Sequence, residues 1–432
     1  MKKLALAIAV ATAAAASASA QAAEAVTFDP SLKLTYKNYF WKQKDDASSP
    51  KYYRDEWVQA LVADFDTGYV NDMVGVVVTA GFANNLKTKD DTSITNLGKN
   101  SDGEATDISG FQQAYLKAKY DFGELALKGT VGVKKRGYEL YGNSGSRILN
   151  ASSNGVDVSA AYKDLTVYAS QITGASSRED SSFSNDLTVN TKRDENTNAL
   201  ISQDKVDHIR ILGANYTIAG IDFTAERLES KDYLAKNFVK AAYTFDLGNG
   251  MTLDTDVRYG EAEDNGDLYN GTDDKYESSY YNANATLNFD NAYVGFGYNK
   301  VSDGDFETDD SEQGNAGTFN TTLSQWSDYN KEGERAYVVT AGYNFADLGL
   351  SGLNIDMVYA EGKDAKNYDN FGRQEFSSYV SYKFDGQLEG LSVAWLHVTS
   401  NADGVNKTDS DDNLKNRDRS NRLYLKYSVS VF

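Results

Sequence analysis

The chain has 432 residues, 63 acidic against 43 basic, for a formal charge of −20, with no cysteine and two histidines. The missing cysteines exclude disulfides and thiolate metal sites. The acidic balance, with no glycine-rich phosphate loop between a strand and a helix, excludes nucleic-acid and nucleotide chemistry as a reading.

Residues 1–22 read as a secretory signal peptide. Lys2 and Lys3 precede a small apolar run from Leu4 to Ala16, and Ala18-Ser19-Ala20 or Ala20-Gln21-Ala22 offers a cleavage site. Beyond it no apolar run reaches the ~18 residues of a transmembrane helix, and the mean hydropathy is −0.55. Strands that alternate apolar and polar residues escape that test, because their polar face and polar loops dominate the average. Residues 23–432 carry no Pro- or Ser-rich linker, so they are taken as a single domain.

Along that domain, short connections alternate with long polar ones. The short ones lie at Asp66–Asp72, Asp121–Glu124, Lys163-Asp164, Thr217–Gly220, Asp246–Gly250, Asp290–Ala292, Ala346–Gly352 and Asp385–Gly390. The long ones lie around 42–56, 84–110, 135–154, 173–205, 230–236, 261–277, 302–333, 362–373 and 400–421. Eight short and nine long connections imply eighteen strands, with both chain ends on the short-turn side. Short periplasmic turns and long extracellular loops are the plan of outer-membrane barrels, whereas a soluble sandwich has no reason to gather every long loop at one end. The expected fold is therefore all-β, an 18-stranded transmembrane antiparallel β-barrel in the bacterial outer membrane.

Within the strands the period of two assigns faces. Leu253, Thr255, Val257 and Tyr259 are expected to face lipid, with Asp254, Asp256 and Arg258 in the lumen. Likewise Leu353, Ile355, Met357 and Tyr359 face out while Asn354 and Asp356 face in. Tyr281, Ala283, Ala285, Leu287 and Phe289 oppose Asn282, Asn284, Thr286 and Asn288 in the same way. The last strand sets Leu423, Leu425, Tyr427, Val429 and Val431 against Tyr424, Lys426, Ser428 and Ser430, and ends on Phe432. A terminal strand of this kind needs partners on both edges, and pairing with the first strand supplies the second.

Several segments carry a family resemblance: SLKLTYKNYFW (31–41), EWVQALVADFDTGYVNDMVGV (56–76), GNSGSRIL (142–149), DLTVYASQITGASSRE (164–179), LGNGMTLDTDVRY (247–259), ERAYVVTAGYNFADLGLSGL (334–353), DGQLEGLSV (385–393) and NRLYLKYSVSVF (421–432). In order and spacing they resemble the OprD family of substrate-selective outer-membrane porins, which includes chitoporins. The resemblance implies passive, partly selective diffusion of small hydrophilic solutes: amino acids and peptides, carboxylates or chitooligosaccharides. It implies a monomer, a lumen narrowed by the third and seventh outer loops, and basic residues along one wall. The positions that match are Lys37, Lys117, Lys119, Lys128, Arg147, Arg258 and Arg422. Gln171, Thr340, Val358, Ala394 and Leu396 stand where the family often has arginine. With Asp254, Asp256 and Asp356 retained and the loops acidic, that departure predicts a modest preference for cations and neutral solutes.

Lys134, Lys135, Arg136 and Arg147 bracket the third loop and belong near the constriction if that loop folds inward; otherwise they meet solvent or lipopolysaccharide phosphates. The acidic runs Asp303–Glu312 and Asp409–Asp412 read as solvated loops. Leu414 and Ser420 replace the glycine and bidentate glutamate of a calcium loop. His397 shares its period with Trp395 and points to the bilayer rim, and no serine has a plausible triad partner, so no enzyme is expected. Nothing requires a cofactor. The alternative to a porin is a structural or adhesive barrel without a substrate channel. The expected partners are solutes, outer-membrane lipid and lipopolysaccharide.

Overall fold

The computed structural model describes residues 29–432, except 46–53, 90–93, 181–183, 185, 194–199, 270–274, 312–314, 317–326 and 408–412. The signal peptide at 1–22, Glu312, and Asp409, Asp411 and Asp412 lie outside the described residues.

Eighteen strands form one closed sheet. The first six are β1 (Ser31–Asp45), β2 (Arg54–Asp66), β3 (Val74–Thr88), β4 (Ile108–Phe122), β5 (Leu125–Lys134) and β6 (Ser152–Tyr162). The next six are β7 (Leu165–Ser176), β8 (Ile209–Ile218), β9 (Ile221–Ser230), β10 (Leu234–Gly248), β11 (Met251–Asp264) and β12 (Glu277–Phe289). The last six are β13 (Ala292–Ser302), β14 (Arg335–Asn344), β15 (Leu353–Lys363), β16 (Tyr368–Lys383), β17 (Leu391–Asn406) and β18 (Leu414–Ser430).

Every neighbour is antiparallel, and β1 closes on β18 from Lys33 opposite Ser430 to Asp45 opposite Asp418. The ring is sealed at its lower end by the terminus itself. Leu32 N–H donates to the Phe432 carbonyl at 3.1 Å, and Val431 N–H to the Leu32 carbonyl at 2.7 Å. Among the described residues the eighteen-stranded sheet leaves no edge to face hydrocarbon, the condition for a sheet in a bilayer.

The outer surface is apolar because alternate residues point there. Leu423, Tyr427, Val429, Val431 and Phe432 are exposed, as are Val257, Tyr259, Tyr281, Met357 and Tyr359; Leu425 shares their face and is half-buried. At the short-turn end, Tyr120/Phe122, Tyr243/Phe245, Tyr343/Phe345 and Tyr382/Phe384 meet edge to face, with centroids 4.6–5.0 Å apart. These rings form the lower aromatic girdle that a bilayer interface favours.

The long connections are shorter or more paired than expected in several places. The ninth, expected at 400–421, is shorter, because β17 and β18 continue as a polar ribbon with Asn401 opposite Arg417 and Asp403 opposite Lys415. Above the membrane both faces of a ribbon meet water, so alternation vanishes while pairing persists. The fourth contains a hairpin, Leu187–Arg193 with Leu200–Val206. Its Leu187, Val189 and Val206 are buried with Leu140, Tyr141, Tyr276, Tyr280 and Phe306 in an apolar cluster that roofs one side of the barrel mouth.

Candidate channel and constriction

The third outer loop, 135–151, leaves β5 and turns into the lumen. Gly132 makes the departure possible: its φ is +125°, and a Cβ there would lie 2.5 Å from the Ala114 carbonyl. The inward course is fixed by carboxylates on the wall. Arg136, with no exposed side-chain surface, forks onto Asp157 of β6 through Nε to Oδ1 at 2.8 Å and Nη2 to Oδ2 at 3.0 Å. Tyr138 Oη donates to the same carboxylate at 2.6 Å, and the Leu140 N–H donates to Glu226 Oε1 of β9 at 2.6 Å. Tyr138 also stacks on Tyr168, centroids 5.6 Å apart.

The far side of the loop is tied to the opposite wall. Lys37 Nζ donates to the Ile148 carbonyl at 2.8 Å; the Ile148 N–H donates to Asn96 Oδ1 at 2.8 Å and Arg147 Nε to the Thr95 carbonyl at 2.9 Å. Ile148 and Leu149 are buried against Val58, Ala83, Leu97 and Ile108. Pinned at both walls, the loop is a fixed crossbar. From the seventh loop, Phe306 joins the apolar roof, edge to face with Tyr280 at 4.9 Å. Glu334 at its base is held by Arg373 Nε at 2.7 Å.

The passage beside the crossbar runs along β15–β18 and β1. A cavity of about 780 Å³ there is lined by Tyr39, Asp356, Tyr379, Arg422, Tyr424 and Lys426, with Ser146 of the third loop at its edge. Arg422 lies 3.9 Å from the centroid of the Trp41 ring, which Arg54 and Arg147 also approach at 4.5 and 4.9 Å. Burial lowers the Arg147 guanidinium below its ordinary range, and Arg178, Arg54 and Arg422 add to the shift. An anion beside this cluster would relieve it. Below the crossbar, Lys33, Lys37, Lys135 and Lys426 line a smaller cavity of about 170 Å³ with Asp64.

Of the other residues singled out in the sequence, Lys117 and Lys119 lie at the periplasmic exit. Lys117 is 2.5 Å from Asp66, Lys119 is paired with Asp72, and both stand over the Tyr69 ring. Lys128 is opposite Lys119 in register. Lys134 lies 3.4 Å from Asp157. On the other wall Arg258 Nε donates to Asp256 at 2.6 Å and Asn284 Nδ2 donates to the same carboxylate at 3.0 Å. Asp254 accepts from Thr244 and Asn288, both at 2.7 Å, and Asp356 from Tyr293 at 2.8 Å.

Val358, Ala394 and Leu396 line the larger cavity, and Thr340 shares the inward face, where its Oγ1 crowds the position of a Gly295 Cβ. Gln171, by contrast, faces outward and accepts a hydrogen bond from Arg210 at 3.3 Å, so it replaces no wall arginine. The sequence reading did not single out Tyr39 and Tyr379, and it placed Tyr424 on the inward side of its strand without giving it a role. The signal was present, since each falls on the inward period of its strand, but a tyrosine there reads as one more aromatic. His397 sits at the outer rim with Trp395, both within 3.1 Å of Asn421 Oδ1.

A closed 18-stranded barrel, apolar outside, with polar cavities inside and a loop folded across its lumen, is a substrate-selective channel of the bacterial outer membrane. The sequence profile described as "outer membrane porin, OprD family" matches residues 27–431, so the chain belongs to that family. It is 25% identical to Porin D of Pseudomonas aeruginosa over 389 residues, covering 85% of this chain and 80% of that protein. The Porin-like protein GalP of Pseudomonas putida is 24% identical over 429 residues, 95% of this chain and 94% of that one. Chitoporin of Escherichia coli is 24% identical over 388 residues, 80% and 76% of the two chains. The fold matches Pseudomonas aeruginosa OpdK, crystallised with vanillate, at a TM-score of 0.78 and 19% identity over 93% of this chain and 99% of that one. A BenF-like porin from Pseudomonas fluorescens matches at 0.77 and 20% identity, with the same coverage.

Proposed function

We propose that the channel lets small hydrophilic solutes diffuse passively, without reaction or energy input, and favours those that join a flat ring to a carboxylate. The observation that carries this is the composition of the larger cavity. Tyr39, Tyr379 and Tyr424 cluster beside Val358 and Leu396, an apolar strip in an otherwise polar lumen, with Lys426 and Arg422 on the same wall. Rings stack on such a strip while the cations take the carboxylate. Vanillate, crystallised with OpdK, is a solute of this kind.

The placement of charge supports an anion-guiding wall over the cation preference expected from the sequence. Asp254, Asp256 and Asp356 are engaged by neighbouring donors, whereas Lys33, Lys37, Lys383 and Lys426 form no ion pair among the described residues. The wall is Lys37, Arg147, Arg422 and Lys426, with Lys117, Lys119 and Lys128 at or toward the exit, Lys134 at the foot of the third loop beside Asp157, and Asp254, Asp256, Arg258 and Asn284 opposite. We take the unit to be one barrel with its own lumen, bedded in outer-membrane lipid and lipopolysaccharide.

Single-channel current in planar bilayers tests this, with vanillate, acetate and a neutral chitooligosaccharide titrated in turn. Vanillate should interrupt the current at the lowest concentration, and Tyr379→Ala should weaken that block about tenfold while leaving acetate unchanged. Block by the oligosaccharide alone would overturn the solute class; a barrel that never conducts would return the adhesive reading.

A further inference from the structure

The lipid-facing wall carries a second depression, between β6 and β9. Register places Val156, Gln171, Arg210 and Glu229 in one row and Val158, Ala169, Leu212 and Arg227 in the next. Val158 and Leu212 project, at 54% and 65% exposed, on either side of the short Ala169. They form the sides of a trench of about 630 Å³ whose floor is that alanine.

The trench runs up to a charged rim. On three adjacent strands the outward residues change from apolar to polar within one step of the period: Leu212 to Arg210, Ala225 to Arg227, Val239 to Asn237. That change marks the upper edge of the apolar band, the level of outer-leaflet headgroups, where an outward arginine costs little. Arg210 and Arg227 are diagonal cross-strand neighbours, their Cβ atoms ~7 Å apart or less. Arg210 Nε is bound to Gln171 Oε1 at 3.3 Å. Arg227 donates Nη1 to Asn237 Oδ1 at 2.9 Å and holds Nη2 3.9 Å from Glu263. Each guanidinium has five N–H groups, so donors remain on both after these contacts. Glu229, opposite Arg210, and Glu263 keep the empty rim near neutral, so attraction depends on forked hydrogen bonds to a compact oxyanion and less on net charge.

We propose that this trench seats a phosphorylated, multiply acylated glycolipid of the outer leaflet, with a phosphate between Arg210 and Arg227 and one acyl chain over Ala169 between Val158 and Leu212. The proposal rests on the membrane setting given above but not on the channel's solute. None of these side chains faces the lumen, so lipid binding and conduction are separable.

The test is native mass spectrometry of the folded barrel in detergent, titrated with bisphosphorylated lipid A and, in parallel, with the same lipid stripped of phosphate. Lipid A should remain bound, and its occupancy should fall at least tenfold in Arg210→Ala/Arg227→Ala and in Ala169→Phe, which fills the trench. Arg210→Lys/Arg227→Lys, which keeps charge but loses the fork and is the milder change for folding, should fall between. Single-channel conductance should match the parent in all of them. Equal occupancy across the variants, or equal binding of the dephosphorylated lipid, would overturn the proposal. So would a dimer that Ala169→Phe abolishes, which would assign the trench to a second copy of the chain. A barrel that binds lipid A as expected yet conducts nothing would refute the channel reading alone.

Discussion

Lys426 and Lys37 face each other directly across the closing strand pair, both inward. Like charges so placed destabilise a sheet by roughly 0.2–1 kcal/mol, and no carboxylate pairs with either among the described residues. A repulsion kept at the seam that closes the barrel points to use. Lys426→Gln should therefore raise the unfolding midpoint in denaturant slightly while weakening block by an aromatic carboxylate. Lys426→Glu should shift the reversal potential in a KCl gradient toward potassium; no shift would remove this lysine from the pathway. One residue earlier the environment inverts. Leu425 faces lipid, where an arginine near the midplane costs ~2–4 kcal/mol, so Leu425→Arg should reduce the yield of heat-modifiable barrel far more than Lys426→Arg. Equal yields would show the two faces to be reversed.

At the scale of elements, the strands were legible because alternation and short turns are local. Lys163-Asp164 and Asp290–Ala292 mark hairpins by composition alone, and in the structure Lys163 and Asp290 have positive φ. The Tyr-x-Phe repeats were legible in principle but not read: YDF, YTF, YNF and YKF each lie at the short-turn end of a strand, and the two-residue spacing puts both rings on the outer face. The crossbar was legible only as a family expectation. Its cause is long-range, since Arg136 finds its acid 21 residues on and Leu140 finds Glu226 86 residues on, and no local pattern announces such pairs. For the same reason Arg136, counted among constriction cations in the sequence, is a buried strut in the structure. Removing one partner of such a pair leaves a buried charge uncompensated, a loss of ~3–5 kcal/mol. In Asp157→Asn that loss should fall on the docking of the loop, because the barrel closes without it. The expected result is a channel of larger and noisier current with its thermal resistance nearly intact. Unchanged conductance would mean that the loop is held by its other anchors and that Asp157 is redundant.

For the whole molecule, the lumen is divided unequally. The apolar roof built from Leu140, Tyr141, Leu187, Val206, Tyr276 and Phe306 covers the side of β7–β13, and the two luminal cavities lie on the side of β15–β18 and β1, with the tyrosine strip and the lysines. The chain carries −20 overall, and acidic outer-loop residues such as Asp303, Asp305, Glu307 and Glu332 set negative potential at a mouth that leads to the proposed basic wall. Fields from exposed loops are screened beyond ~8 Å at physiological ionic strength, whereas charges inside a narrow, low-dielectric passage are screened less. Selectivity for small ions should therefore depend on salt in a directional way. In dilute KCl the loops contribute and oppose anions; as salt rises their contribution fades and the lumen decides. The measured permeability ratio should move toward chloride between about 0.05 and 1 M KCl, over which the Debye length falls to ~3 Å. In Lys37→Gln/Lys426→Gln the same titration should move less far and level off closer to equal permeability, because the loops are still screened while the wall that takes over at high salt has lost its charge at the seam. A ratio that moves toward potassium with rising salt in the parent channel would mean that the lumen, not the mouth, holds the net negative charge, and would overturn the anion-guiding wall.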